Sequence, residues 1–235
     1  MHDGRNAQES GWAPLPQVLA RRLQAMILSG ELPQGSRIPS QRILSHRFEV
    51  SRASLREAIL TLETLGLVRT EPGRGTFVAS REPVAPSNRW RYADTHSLRD
   101  VFETRLMLEG RIAQAAATQV DGSQVTILTE ATDHMERCWM VGDLVSNVEA
   151  DLLFHLTIAR SCPNQLLLAL YEAVTHLLTE TQRQPIPRTE PERMAASLSE
   201  HRCIIAALQR RDSAATRLAM ETHVRNTARC AGVEI

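Results

Sequence analysis

Three histidines and one aspartate in the C-terminal half of the sequence have the spacing of a metal site. Asp151 and His155 are four residues apart in a segment with helical periodicity, which places them on one helix face about one turn apart. His201 and His223 flank a turn predicted near residues 210–212 at similar distances, so their imidazoles come level across an antiparallel helix pair. Three imidazoles and one carboxylate suit a divalent transition metal, zinc first, with nickel, manganese and iron as alternatives. A single histidine is more often a core or surface residue than a ligand, so spacing by itself leaves both interpretations open.

A second group of candidate functional residues lies in the N-terminal half, in segment 51–56, which reads SRASLR. Arg52 and Arg56 are four residues apart and therefore project from one helix face. Their planar guanidinium groups suit bidentate bonds to guanine or contacts with phosphate. Ser51 and Ser54 are short donors suited to phosphates beside a helix N-terminus. The alternative is a solvated charged face on which Arg56 pairs with a neighbouring glutamate.

The elements that must position this segment are three predicted helices followed by a hairpin. The helices are predicted at residues 16–29, 40–48 and 52–65. Two short β-prone runs around the glycine-rich turn at residues 72–75 predict a β-hairpin that ends at residue 78. This order predicts a winged helix-turn-helix, whose second motif helix lies in the DNA major groove. The motif brings three further side chains or backbone groups toward DNA: Arg42 on the preceding helix, and Gly73 and Arg74 at the wing tip.

The C-terminal half consists of six amphipathic segments, whose apolar residues recur at spacings of three and four. They are predicted at residues 98–119, 124–140, 144–160, 163–182, 191–209 and 212–230. Six helices with short connections predict an antiparallel all-α bundle, and a short helix at residues 87–92 would make a seventh. The chain is therefore predicted to be mainly α-helical, with a DNA-binding domain at 12–80, a linker at 81–96 and the bundle at 97–232.

The charge of the sequence divides at the same linker. The 235 residues carry 27 basic and 27 acidic side chains, and every basic one is an arginine. Residues 1–80 have a net charge of +3 and residues 81–235 one of −3, so the zero total hides a basic segment suited to nucleic acid. No apolar run reaches about 18 residues, and the N-terminus lacks the apolar core of a secretory signal. The four scattered cysteines suggest buried small hydrophobes rather than disulfides, so we expect a cytoplasmic protein without a membrane span.

Residues 16–79 resemble the winged helix of GntR-family bacterial regulators. Residues 30–42 resemble the entry to that domain, residues 50–58 its recognition helix, and residues 62–68 with residues 72–78 its wing. Gln41 departs from the family, which usually has glutamate before the arginine, and this difference alters local charge near DNA rather than the fold. The resemblance implies DNA contacts by Arg42, Arg52 and Arg56, supported by Ser51, Ser54, Gly73 and Arg74.

Residues 97–230 resemble the FCD effector domain of the FadR subfamily. Residues 151–159 have its D-x-x-F-H signature, and residues 200–208 resemble the segment that carries its second histidine, with His223 following. The resemblance implies that Asp151 and the three histidines bind a metal that helps hold a small carboxylate effector, such as a sugar acid or a hydroxy acid. Relatives without this set bind other ligands, acyl-CoA among them.

The same resemblance predicts effector contacts by Arg105, Glu109 and Asn164. Arg105 and Glu109 match an R-x-x-x-E pattern on the first helix of the FCD domain, and Asn164 follows the D-x-x-F-H segment. A buried arginine that faces a metal pocket is a natural anchor for a carboxylate. The alternative for Arg105 and Glu109 is an ion pair within the helix, which contributes about 0.2–0.5 kcal/mol in isolation.

These features together predict a homodimeric transcription regulator rather than an enzyme. Such a protein reads a palindromic operator on double-stranded DNA, and most relatives repress catabolic genes and leave DNA when the effector binds. A metal-dependent enzyme is one alternative, since three histidines and one aspartate suit activation of water, but no general base is evident. An effector-independent, architectural DNA-binding protein is the other.

Overall fold

The computed structural model describes residues 15–79 and 90–235. Within these ranges the chain forms nine α-helices, one two-stranded sheet and one 3₁₀ turn, which confirms the mainly α prediction. Inter-residue contacts divide the chain into two compact units, one before and one after residues 80–89. The predicted start at residue 12 and residues 80–89 of the predicted boundary and linker lie outside the described residues.

The N-terminal unit is a winged helix-turn-helix, as predicted. Its elements are α1 (Leu15–Leu28), α2 (Gln41–Arg47), α3 (Arg52–Thr64), β1 (Val68–Glu71) and β2 (Gly75–Val78). The strands pair antiparallel, with Val68 opposite Val78, and Arg37 forms a bridge to Phe77 on the outer side of β2. The observed helix bounds differ from the predicted ones by a residue or so at each end.

Burial of one apolar face fixes the orientation of α3. The apolar residues of α3 and its end form the predicted inward face: Leu55, Ile59, Leu62 and Leu65. The Ser51 side chain accepts a hydrogen bond from Ser54 N at 3.0 Å and thereby caps the first turn. Because the core face is fixed, Arg52 and Arg56 lie on the exposed face of the helix.

The turn between α2 and α3 contains Glu49 in the left-handed backbone region, with φ of 55°. This region costs residues with a Cβ atom about 1–2 kcal/mol, and glycine avoids that cost but loses more entropy on folding. We therefore expect Glu49→Gly to raise the free energy of unfolding by about 0.5–1 kcal/mol, measured by urea denaturation of the full chain. Glu49→Ala is the matched control, because alanine removes the carboxylate and keeps the Cβ; a glycine variant no more stable than this control would contradict the expectation.

The C-terminal unit contains the six predicted helices. They are α4 (Leu98–Ala116), α5 (Gly122–Met140), α6 (Leu144–Arg160), α7 (Gln165–Arg183), α8 (Pro191–Gln209) and α9 (Ser213–Cys230), with a 3₁₀ turn at Ile186–Arg188. Side-chain caps begin five of them, and α4 and α5 have full capping boxes, as at Ser97 and Asp100. The described part of the possible seventh helix, residues 90–92, is not helical.

The packing of these helices surrounds a polar centre. α4 packs against α6, α7 and α9, while α8 packs against α5 and α9. Most of the buried residues are apolar, but an unusual set of polar side chains is also buried: Arg105, Glu109, His155, Thr181, Gln182, His201 and His223. Buried polar groups require partners inside the protein, so this centre is the candidate functional site.

The four cysteines, which the sequence predicted to be buried, differ in their exposure. Cys138 and Cys162 are buried as expected, and Cys230 is half-buried. The expectation was wrong for Cys203, which is exposed because it lies two residues after the buried His201 and therefore points to the opposite side of α8. None of the described helices is long and apolar enough to cross a membrane.

Candidate metal centre and DNA-reading surface

The structure brings the four predicted metal ligands together at the centre of the helical unit. Asp151 and His155 lie on α6, His201 on α8 and His223 on α9, and one ligand atom from each lies within 4.8 Å of the others. The ring centroids of His201 and His223 are 4.4 Å apart, so the two imidazoles are level across the α8–α9 pair. We call these four residues the His/Asp cluster.

A hydrogen-bond acceptor at Nδ1 orients the ring of His201 and that of His223. His201 Nδ1 lies 2.9 Å from the carbonyl oxygen of Ser197, and His223 Nδ1 lies 2.9 Å from Glu200 Oε2. An acceptor at this position keeps the proton on Nδ1 and leaves the Nε2 lone pair available as a ligand. The ring of Phe154 packs edge-on against His201, with centroids 4.5 Å apart, which restricts the ring further.

His155 lies on the other side of the cluster, and its Nδ1 makes no hydrogen bond to any described residue. Its Nδ1 lies 3.1 Å from Glu109 Oε2, and its Nε2 lies 3.7 Å from Asp151 Oδ1. His201 Nε2 lies 3.0 Å from the same Asp151 oxygen, yet it is buried and makes no hydrogen bond to any described residue. A buried ring nitrogen that faces a carboxylate without hydrogen-bond geometry fits a metal ligand, so the residues present suit a metal ion.

The charge states of the cluster also suit a cation. Burial raises the pKa of Asp151, but the close His201 and His155 rings outweigh it, so the pKa lies well below its usual range. Burial lowers the pKa of His223 to about 3, and the neighbouring His201 adds to this effect. At neutral pH the site therefore combines an ionised carboxylate with an uncharged imidazole, which is the protonation pattern that metal ligation requires.

Glu200 supports His223 from a network of its own. Its carboxylate accepts hydrogen bonds from both terminal nitrogens of Arg193, at 2.8 and 2.7 Å, and from Asn226 Nδ2 at 2.7 Å. Burial raises the pKa of Glu200, but the hydrogen bonds from His223 and Arg193 outweigh it and lower the pKa to about 2. Glu200 thus stays ionised and holds the proton of His223 on Nδ1.

Arg105 and Glu109 form a fully buried pair beside the cluster. Arg105 Nε lies 3.1 Å from each Glu109 oxygen, and its Nη1 donates to Thr181 Oγ1 at 3.3 Å. Its Nη2 lies 3.2 Å from His155 Nε2. Burial raises the pKa of Glu109, but Arg105 and His155 outweigh it and lower the pKa to about 2. The sequence left two interpretations of this pair open, and the structure contains both the intrahelical ion pair and an approach of Arg105 to the cluster.

A cavity of about 50 Å³ reaches the cluster from the side of α7, the 3₁₀ turn and α8. Asp151 and His223 line it, while Arg105 and His155 are not among its lining residues. Its other polar lining residues are Asn147, Gln182, Thr189, Arg193, Ser197 and Thr227. The cluster is therefore accessible to a small molecule from the Gln182 side.

Asn164, the third predicted effector contact, lies at the start of α7. Its Oδ1 accepts hydrogen bonds from Leu166 N and Leu167 N at 3.1 and 3.2 Å, which makes it the N-cap of α7. Asn164 is also not among the residues that line the cavity beside the cluster. The structure gives Asn164 a capping role and does not place it in the wall of the cavity.

Sequence reasoning missed four residues around the cluster: Thr181, Gln182, Arg193 and Glu200. One signal existed for Thr181, because it follows Leu177 and Leu178 at helical spacing and so continues their buried face. Glu200 directly precedes His201 in the sequence but supports His223 on the next helix. No pattern within one helix indicates such a contact.

The predicted DNA-reading side chains of α3 and α2 are exposed. Among the described residues, neither Arg52 nor Arg56 has an ion pair, and Arg42 is also exposed. Glu63 is engaged elsewhere, since Glu63 Oε1 accepts a hydrogen bond from Thr70 N at 2.9 Å. The alternative in which Arg56 pairs with a neighbouring glutamate is therefore not observed, and both guanidinium groups are available to a partner.

The remaining predicted DNA contacts lie at the start of α3 and at the wing tip. Ser51 Oγ and Ser54 Oγ are 2.9 Å apart, and both hydroxyls lie at the N-terminal end of α3. Gly73 has a φ of 74°, which the turn requires and glycine tolerates without strain. Arg74 is exposed and forms an ion pair with Glu71. This pair competes with a phosphate for Arg74, whereas Arg52 and Arg56 have no such pair with any described residue.

Comparison with known families gives two matches, one in each compact unit. Residues 15–78 match the family described as "Bacterial regulatory proteins, gntR family", and residues 100–226 match the FCD domain. The first match covers the winged helix with its exposed arginines, and the second covers the His/Asp cluster.

Individual relatives are regulators. The Exu regulon transcriptional regulator of Escherichia coli K12 is 30% identical over 223 residues, which cover 91% of this chain and 83% of the relative. The regulator LutR of Bacillus subtilis is 30% identical over 86% of this chain and 94% of its own, and the Glc operon transcriptional activator of E. coli K12 is 28% identical over 70% and 67%. The structure of E. coli McbR/YncC shares the fold, with a TM-score of 0.55 at 17% identity, over 94% of this chain and 98% of that one. The chain belongs to the GntR family of bacterial transcription regulators and carries a C-terminal FCD effector domain.

Proposed function

We propose that the protein is a metabolite-responsive repressor of catabolic genes, which leaves its operator when a small carboxylate binds at a metal in the FCD domain. The observation that carries this proposal is the His/Asp cluster, in which acceptors bond Nδ1 of His201 and His223 and a cavity reaches the centre. The names of the relatives refer to regulons and operons, and one relative is named an activator, so the sign of regulation is a part of the test.

The metal in this proposal is a divalent transition ion, zinc first, with nickel, manganese or iron as alternatives. Asp151 would supply a carboxylate oxygen, and His155, His201 and His223 would supply Nε2. The ion would act as a Lewis acid that holds the effector carboxylate. The chain's own contribution is orientation, since Ser197 and Glu200 fix two of the rings before any ligand arrives.

The proposed DNA partner is a palindromic operator bound by a homodimer in the cytoplasm, without enzymatic activity. The domain boundaries that we propose are those predicted from the sequence: a DNA-binding domain at 12–80, a linker at 81–96 and an effector domain at 97–232. A net charge of only +3 in residues 1–80 favours this arrangement. A dimer with two linked winged helices binds DNA more tightly than one modestly charged winged helix does.

Fluorescence anisotropy with DNA from upstream of the protein's own operon tests this proposal. We expect binding that is selective for sequence, weakens as salt rises, and is reversed by one or more small hydroxy acids or sugar acids. An effector that strengthens DNA binding instead would contradict the proposed release of the operator. The effector would then act as a co-repressor or a co-activator. The absence of any sequence-selective binding would contradict the proposal as a whole.

Removal of the Glu200 carboxylate tests the support of the metal site. We expect Glu200→Gln to lower metal affinity about 10- to 100-fold, because His223 loses the ionised acceptor that holds its proton on Nδ1. Competition with a chromogenic chelator measures the affinity. Glu192→Gln is the matched control, since Glu192 lies on the same helix and is exposed. Equal metal affinity for the Glu200 and Glu192 variants would show that the network does not tune the site.

A further inference from the structure

The last turns of α7 bury several polar residues in succession. Glu180, Thr181 and Gln182 are all at most 4% exposed. Glu180 accepts a hydrogen bond from Arg183, and Thr181 accepts one from Arg105. Gln182 differs from both, because its Nε2 is buried and has no hydrogen-bond partner among the described residues.

Gln182 also differs in where it lies. It lines the cavity that reaches Asp151 and His223, and neither Glu180 nor Thr181 does. A buried amide donor without a partner costs about 1–3 kcal/mol, so natural proteins rarely retain one without a reason. An unsatisfied donor in the wall of a cavity beside a candidate metal centre indicates a ligand that carries the missing acceptor.

The geometry points to Gln182 as a specificity-determining residue of the effector site, which donates a hydrogen bond to the hydroxyl oxygen beside the carboxylate of the bound acid. This inference rests on the proposed function, since it takes the ligand to be a carboxylate held at the His/Asp cluster. It adds a residue that the sequence patterns did not indicate, and it places the effector on the α7–α8 side of the cluster. Arg105 Nε and Nη1 are already occupied by Glu109 and Thr181.

The size and lining of the cavity define the class of acid. A volume of about 50 Å³ corresponds to roughly three to five water molecules at about 10–15 Å³ each, which fits a compact acid. Met135, Ile186 and Met194 give the cavity an apolar wall, while Gln182 offers a directed donor. An acid with a second oxygen beside its carboxylate, such as a 2-hydroxy acid, satisfies the amide where the unsubstituted acid leaves it unpaired.

Lactate and propionate are the probes that isolate this contact, because they differ by one hydroxyl group. Isothermal titration calorimetry of zinc-reconstituted protein gives the Kd of each acid, with gluconate as a larger 2-hydroxy acid. We expect the wild-type protein to prefer lactate over propionate. We expect Gln182→Met, which keeps the side-chain volume and removes the amide, to weaken lactate binding about tenfold or more and to change propionate binding much less.

Gln184→Met is the matched control, because Gln184 is also buried near the end of α7 but does not line the cavity. Metal content per chain is measured for every variant by elemental analysis. Unchanged metal content with a lowered lactate preference in Gln182→Met alone supports the inference. Equal lactate affinities of the wild-type and Gln182→Met proteins would overturn it and leave the proposed function intact. A loss of metal in Gln182→Met would also overturn it, in favour of a structural role.

A wild-type protein that binds neither lactate nor gluconate would overturn the inferred ligand class. If it then also fails to bind operator DNA selectively, the proposed function fails with it, so the anisotropy experiment separates the two failures.

Discussion

Replacement of His201 by alanine is expected to abolish metal binding while the protein still binds DNA. His201 Nε2 is the buried nitrogen that faces Asp151 without a hydrogen bond, so its loss removes a ligand and leaves the carboxylate poorly compensated. Loss of a residue that only orients a ligand typically costs about 10- to 100-fold in metal affinity, and loss of the ligand itself should cost more. We therefore expect metal content to fall from about one ion per chain to near zero after purification without chelator.

The consequences of this substitution separate the sensing function from DNA recognition. A variant without metal should no longer respond to the carboxylate, because the effector loses its differential affinity for one state of the protein. Operator binding should persist, since the exposed arginines of α3 lie in the other compact unit. Fluorescence anisotropy in the presence and absence of the acid measures both properties in one experiment.

His134→Ala is the control for this experiment. His134 lies on α5 beside Cys138 and is not in the His/Asp cluster, so the variant should keep its metal and its response. A His201→Ala protein with stoichiometric, tightly bound metal would contradict the assignment of the ligands. A folded wild-type protein that takes up no added metal would contradict the metal site itself.

The metal ligands could be predicted from sequence because each rule involved acts along the chain. Helical periodicity places Asp151 and His155 on one face, and counting outward from the α8–α9 turn brings His201 and His223 level. Short connections then force neighbouring helices to be antiparallel. The same rules predicted α6 and α8 with the observed bounds.

The surroundings of the cluster could not be predicted because they depend on the rotation of one helix against another. Glu200 reaches across to α9, and Arg105 on α4 approaches both α6 and α7. Such contacts arise from packing between residues far apart in the chain, for which no spacing rule exists. Asn164 shows the reverse case, because a family position suggested an effector contact while the local helix start uses the side chain as a cap.

Replacement of Arg52 by alanine is expected to reduce operator affinity more than any other single change in the N-terminal unit except that of Arg56. Both arginines are exposed on α3, and neither has an ion pair among the described residues, so neither must break a bond before it binds DNA. An arginine that contacts a guanine contributes about 1–3 kcal/mol of discrimination against the wrong base, which corresponds to roughly 5- to 150-fold in affinity. In a dimer the substitution occurs in both winged helices, so the loss of operator affinity is larger still.

The salt dependence of binding decides what each arginine contacts. A base contact that is lost should relax the sequence preference and leave most of the salt dependence in place, whereas a phosphate contact that is lost should weaken binding to all sequences and reduce the salt slope by about one per site. Arg47→Ala is the control of equal charge, because Arg47 is exposed in the same unit but already forms a 2.8 Å ion pair with Glu31. If Arg52→Ala and Arg47→Ala weakened operator binding equally, bulk charge rather than the exposed face of α3 would govern recognition. If residues 1–80, with a net charge of only +3, rely on well-placed arginines, Arg52→Ala should lower operator affinity more than Arg47→Ala. The loss should also depend on the DNA sequence.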